Sequence, residues 1–268
     1  MATQKILSHD GTAIAYEKSG QGPALILVDG AFCYRGMGPM PKLAALLAPH
    51  FSVYLYDRRG RGVSENGRPY AIEREVEDIA ALMSVAGGSA HLLGISSGAA
   101  LVMYAAASDL PVNKLVLYEP PYITQKEFRR PPADYRATLR AMIDRGQRSG
   151  AATFYLTAVI GMPLIVALGV RLSPLWKKMK AIAHTLPYDA EIMKDFTLPT
   201  ELLALIKAPT LVAGGEKSPA MLNAAVTATA EKLQYGTSLF LSKQNHNVSP
   251  EALAPAIINY LNAPRHYD

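Results

Sequence analysis

The run Gly94-Ile95-Ser96-Ser97-Gly98 sets one serine between two glycines at the spacing G-x-S-x-G. A serine hydroxyl is a weak nucleophile, so to attack a carbonyl it must stand on a rigid corner within reach of a base. The flanking residues supply that corner. Residues 90–95 read as a buried strand and 99–107 as a small-residue helix, so Ser96 falls on a tight turn between them. Gly94 and Gly98 have no Cβ to collide there. The N–H of Ser97, near the positive end of the helix, becomes one donor for a developing oxyanion. An incidental serine in an ordinary turn would show the same five residues, so the reading depends on partners elsewhere in the chain.

Those partners can reach Ser96 only if other strands end beside it. Residues 6–8 and 12–17 read as a hairpin around Asp10-Gly11. The apolar runs 24–28, 52–56, 90–95, 114–118, 210–213 and 237–241 read as strands. Helical patterns over 42–48, 72–85 and 219–232 alternate with them, and Ser249-Pro250-Glu251 opens a final helix with an N-cap serine. From Tyr122 to about Lys207 the strand signal stops. That stretch reads as helices rich in Met, Leu and aromatics, with turns at Pro131-Pro132, Gly161-Met162-Pro163 and Leu186-Pro187. The alternation predicts an α/β fold, a mostly parallel sheet covered by helices on both faces. Residues 1–121 and 208–268 form its core, and 122–207 a helical cap. Sites in such sheets lie at the carboxyl ends of strands. Asp29 to Phe32, Ser96, Glu119 and His246 all fall just after strands, facing one crevice.

Composition narrows the function. Half of the 268 residues are apolar and 18% are charged, which suits one large core and excludes disorder. The single Cys33 rules out a disulfide framework or a cysteine metal cluster. A net charge of +5 without a basic run, beyond the pairs Arg58-Arg59 and Arg129-Arg130, argues against a nucleic-acid partner. No apolar leader opens the chain, so a cytoplasmic location is expected. The uncharged stretch after Ser149 approaches the length of a membrane span, but Gly161-Met162-Pro163 and Gly169 interrupt it, and no transmembrane span is expected. No zinc-type H-E-x-x-H or Walker loop is present, and neither metal nor cofactor is expected.

With these elements in place the chain resembles the α/β-hydrolase superfamily, most of all its small capped bacterial esterases and lipases. The residues that carry the likeness are Asp29-Gly30, the loop Asp57-Arg58-Arg59-Gly60-Arg61-Gly62-Val63-Ser64, the Gly94 to Gly98 corner, and His246 before the last helix. The resemblance implies a serine, acid, histidine order and a second oxyanion donor at the N–H of Ala31. Two positions depart from the family pattern. Many relatives have His-Gly where this chain has Asp29-Gly30. Relatives usually place an Asp after the penultimate strand, where this chain reads Gly215-Glu216-Lys217-Ser218. Others place the acid one strand earlier, where Glu119 stands.

His246 is the candidate base, because His9, His50, His91, His184 and His266 fall in a turn, a helix end, a strand start, the cap and the tail. Glu119, stiffened by Pro120-Pro121, is the candidate acid, with Glu216 its rival. The Asp57-Arg58-Arg59 loop reads as structural, its charges pairing locally. Asp29 is expected to bind neighbouring loop N–H groups or to tune the site. Phe32 and, in the cap, Phe154 and Met162 are candidate substrate contacts, within an apolar set (Tyr155, Val159, Ile165, Trp176, Met179) that otherwise packs as core. The expected activity is hydrolysis of a small carboxylic ester with an apolar acyl group through an acyl-enzyme. A lactonase, a C–C bond hydrolase, a perhydrolase or a catalytically idle binding protein are the alternatives.

Overall fold

Period-two alternation of apolar side chains decides how the sheet is covered. The computed structural model describes residues 2–264, so His266 lies outside the described residues. The strands are β1 (Gln4–Leu7), β2 (Ala13–Ser19), β3 (Ala24–Val28), β4 (Ser52–Tyr56), β5 (Ala90–Ile95), β6 (Val112–Tyr118), β7 (Thr210–Gly215) and β8 (Gly236–Leu241). They form one sheet in the order β1-β2-β4-β3-β5-β6-β7-β8. The β1–β2 and β2–β4 pairs are antiparallel, and every other pair is parallel.

Helices α1 (Met40–Leu47), α2 (Ile72–Val85) and α3 (Ser97–Ala106) connect β3, β4, β5 and β6 in turn. Between β6 and β7 lie α4 (Tyr135–Asp144), α5 (Arg148–Phe154), a π-helical turn (Tyr155–Val159), α6 (Leu164–Leu172), α7 (Leu175–Ile182), a 3-10 turn (Ala183–Thr185), α8 (Leu186–Met193) and α9 (Thr200–Leu205). Helices α10 (Ala220–Lys232) and α11 (Pro250–Asn262) complete the chain.

Successive side chains of a strand point to opposite faces. Leu25, Leu27, Leu93 and Val116 pack under α1 and α11. Ile26, Val28, Leu92, Leu115 and Leu117 turn the other way, toward α2, α3 and α10. That second cluster is continuous with buried residues of the inserted helices, among them Tyr135, Leu139, Tyr155, Leu156, Ile192 and Leu203. Burying one such Leu or Ile fully is worth about 1.5–3 kcal/mol.

The sequence and the structure part at a few places, each with a local cause. Strand β7 runs on through Gly214 and Gly215, because these pair with Phe240 and Leu241 of β8. Leu186-Pro187 opens α8 instead of forming a turn, since a proline suits the first turn of a helix. Ser249 does precede α11, but its Oγ donates to Glu251 Oε2 at 2.7 Å and makes no side-chain cap bond. The uncharged stretch is split by the π-helical turn and by Gly161, whose φ is +86°. Among the described residues no helix is long and apolar enough to cross a membrane. Ile165, expected to pack as core with the other apolar residues of the cap, is instead 77% exposed.

Candidate active site

Residue types at the ends of β3, β5 and β6 force unusual backbone there. Phe32 (φ 61°), Ser96 (φ 57°) and Glu119 (φ 47°) all sit in the left-handed region, which costs a non-glycine residue of order 1–3 kcal/mol. Such strain concentrates where geometry serves a site. At Ser96 the glycines on either side are sterically required. A Cβ on Gly94 would come 2.3 Å from Gly98 O, and one on Gly98 would come 2.3 Å from Val28 O. The turn therefore packs directly against the end of β3. Ser96 stands partly exposed at its tip.

Glu119 follows β6 and is completely buried. Its Oε2 lies 2.7 Å from His246 Nδ1. Its Oε1 accepts the N–H of Gly215 at 2.7 Å and the hydroxyl of Ser218. Ser218 thus fills the position where relatives carry an acid, and it holds the acid that stands one strand earlier. The loop bearing His246 is anchored from two sides. Tyr118 Oη donates to Asn245 O at 2.7 Å. The loop also approaches β7 so closely that a Cβ on Gly215 would lie 2.4 Å from Gln244 C and O. Gly215 serves this approach, while a Cβ on Gly214 would instead meet Val226 and Glu119. Glu216 itself is exposed, accepts the N–H of Lys243 at 3.3 Å, and does not reach His246.

The loop after β3 is fixed by buried arginines. Arg61 donates through Nη1 to the carbonyls of Gly30 (2.6 Å) and Cys33 (3.1 Å), and through Nη2 to Asp189 (2.6 Å). Arg58 spans Glu75 (2.6 and 2.7 Å) and Asp189 (2.8 Å) and reaches Asp29 O at 3.3 Å. Arg59 spans Asp78 and meets Asp10. These charges were expected to pair within their own loop. They pair instead with α2, with the first hairpin and with α8, because only carboxylates from other elements can enclose three guanidiniums taken out of water. Asp189 also accepts from Ser97 Oγ at 2.8 Å. Burial opposes its charge, but Arg61 and Arg58 outweigh it and hold the carboxyl below its usual range. Asp189 escaped the sequence reading. Its one signal was an acid in an apolar helical stretch, in a chain whose buried arginines needed partners.

A cavity of about 910 Å³ opens at these strand ends. Ser96, Ser97, Ala31 and His246 line it, together with apolar residues of the inserted helices such as Tyr155, Val159, Met193 and Phe196. Among the described residues, Ser96 and His246 make no hydrogen bond to each other; such contacts often tighten only once substrate is bound. Three expected contacts are corrected. Phe32 is buried edge-on against Tyr155, and Phe154 and Met162 pack at the margin of the core, so none of the three lines the cavity. The π-helical turn presents Tyr155 and Val159 in their place. Cys33 lines the cavity too, but burial and then Asp29 push its thiol up to about 12, so it stays protonated and is no rival nucleophile. No group of three or more His, Cys, Asp or Glu among the described residues could hold a metal ion.

This arrangement has relatives. An α/β hydrolase from Sphaerobacter thermophilus DSM 20745 is 43% identical over 97% of this chain and 100% of that one, with a TM-score of 0.90. An esterase from Rhodococcus sp. ECU1013 shares the fold at 21% identity, over 98% of this chain and 99% of that one, with a TM-score of 0.70. N-formylmaleamate deformylase of Pseudomonas putida is 38% identical over 111 residues, which span 38% of this chain and only 39% of that protein's length. The model of the alpha/beta hydrolase family matches residues 25–256, from β3 into α11. A match of that extent, on a sheet of this order, means that the chain belongs to the α/β-hydrolase family.

Proposed function

We propose that this hydrolase cleaves small carboxylic esters through an acyl-enzyme on Ser96, with His246 as base and Glu119 as the acid that orients it. The observation that carries the reading is the His246 Nδ1–Glu119 Oε2 bond of 2.7 Å, in a loop that lines the same cavity as Ser96. A carboxylate on Nδ1 fixes the proton there, which leaves Nε2 free to accept one. His246 takes the Ser96 proton as Oγ bonds to the carbonyl carbon. The N–H groups of Ala31 and Ser97 receive the oxyanion. His246 then gives the proton to the departing alcohol oxygen as the carbon–oxygen bond breaks. Water, deprotonated by His246, attacks the acyl carbon, and Ser96 recovers its proton as the acid leaves.

In this reading residues 122–207 act as the cap and shape an apolar acyl site. Turnover of p-nitrophenyl acyl esters of increasing chain length tests it. The expected result is a preference for short to medium chains, lost in Ser96→Ala. Activity confined to acetyl esters would overturn the acyl site, and unchanged turnover in folded Ser96→Ala would overturn the mechanism. The similarity to a protein named as a deformylase supports amide hydrolysis as a second reading. The matching p-nitroanilides separate the two.

A further inference from the structure

Arg129 lines the cavity that holds Ser96 and His246, and it has no part in the mechanism above. Among the described residues it is the single lysine or arginine of that lining, and it is exposed. It stands between β6 and α4, on the side of the inserted helices. Its Nη2 donates to the carbonyls of Thr157 (3.3 Å) and Ala158 (2.6 Å), in the π-helical turn that presents Tyr155 and Val159 to the cavity. Bonding that turn occupies one nitrogen. Among the described residues Nη1 and Nε have no partner, and no carboxylate pairs with Arg129, although Glu127 lies two residues before it. Arg35, Arg58, Arg59, Arg61, Arg74, Arg136 and Arg140 each have such a partner. Gly161, also in the lining, keeps open the space beside Nη1, where a Cβ would lie 2.9 Å from that nitrogen.

The rest of the cavity offers this cation no counter-charge. Asp29 is the one acid of the lining among the described residues. It was expected to accept hydrogen bonds from neighbouring loop N–H groups. Neither of its carboxyl oxygens has a partner among the described residues, because both are turned into the packing beside Gly38 and Cys33, sealed from the cavity. Burial lifts that carboxyl to about 7. A guanidinium beside apolar walls keeps more of its field than one in open water.

The position of Arg129 says which part of a substrate would meet it. The leaving oxygen must lie at His246 to collect its proton, beside Asn247 and Val248. The acyl chain then takes the apolar side formed by Tyr155, Val159 and Phe196, and Arg129 stands on the same turn as the first two. Building on the ester reading, we propose that Arg129 binds a carboxylate at the far end of the acyl chain, so that the preferred substrates are half-esters of short dicarboxylic acids. One guanidinium balances the single charge of a carboxylate, whereas a phosphate monoester brings about two.

The test compares kcat/KM for p-nitrophenyl hydrogen adipate with p-nitrophenyl hexanoate, and for the hydrogen suberate with the octanoate, so that chain length is matched. Wild type should favour the charged ester of one pair or both about fivefold, the upper end for an exposed ion pair. Arg129→Gln should bring that ratio close to one, and Arg129→Lys, which keeps the charge, should retain part of it. An arginine that merely supports the π-helical turn would lower both esters alike and leave the ratio unmoved. Should the glutamine variant fail to fold by circular dichroism, the wild-type ratio read against sodium chloride decides, since added salt should draw it toward one. A wild-type ratio at or below one in both pairs, a ratio unmoved in folded Arg129→Gln, or in its absence a ratio indifferent to salt, overturns this assignment and leaves the ester reading standing. If wild type hydrolyses none of the four esters, both fall together.

Discussion

Glu119 gives one carboxyl oxygen to His246 and keeps the other for Gly215 and Ser218. Side chains coupled in this way should fail unequally when removed singly. Under the proposed mechanism, Ser96→Ala should lower kcat by on the order of 10⁶ with the fold intact, because it takes away the nucleophile. Glu119→Gln should lower it by about 10⁴, as the productive tautomer is lost. Ser218→Ala removes only one support of Glu119 and should cost about tenfold. Glu216→Gln should cost nothing measurable. All four are read from ester turnover, and a large loss in Glu216→Gln with none in Glu119→Gln would exchange the two acids. The positions of Ser96, Glu119 and His246 at strand ends were legible in the sequence, because spacing and chain order identify them. Ser218 and Asp29 were not, since what each does depends on side chains brought close only by folding.

Among the elements, α8 has the most to hold. Asp189 on that helix joins Arg58, Arg61 and Ser97, and so ties the inserted helices to the loop after β4 and to the start of α3, with Arg61 reaching on to the loop after β3. Removing one partner from such a network leaves buried cations uncompensated. Asp189→Ala should therefore destabilise the protein by about 3–5 kcal/mol, measured by urea unfolding. A loss under about 1 kcal/mol would mean that water replaces the carboxylate freely. The strands and the helices of the sheet core were readable from apolar runs and amphipathic spacing. The π-helical turn at Tyr155–Val159 was not, because nothing in local propensity separates it from the α-helix before it. That one irregularity decides which aromatic side chain faces the cavity.

For the whole molecule, the carboxyl of Asp29 links stability to pH. Its folded value of about 7 stands above the ordinary 3.8. Below the ordinary value both folded and unfolded chains hold the proton, and nothing is lost. Between about pH 4 and 7 only the folded chain holds it, so stability falls as pH rises, by up to about 1.4 kcal/mol per unit. Above about 7 the loss is complete. Asp29→Asn should therefore gain on wild type at pH 8 and not at pH 4, as read from urea midpoints at the two values. Equal midpoint differences at both would remove this linkage.

The cluster that runs unbroken from the sheet into the inserted helices makes those helices a poor candidate for exchange between relatives. A lid on a hinge could be grafted like a module, but here the graft would have to match one shared interior. Cooperativity should follow the same continuity. The only tryptophan, Trp176, lies in α7 and packs against that cluster, so its fluorescence reports on the insertion alone. Its melting curve and the far-ultraviolet melting curve of the whole chain should coincide in a single transition. An earlier fluorescence transition would reveal an insertion that melts by itself. If the curves do coincide, new specificity on this scaffold has to come from side-chain replacement around the cavity, because swapping the insertion would unfold what lies beneath it.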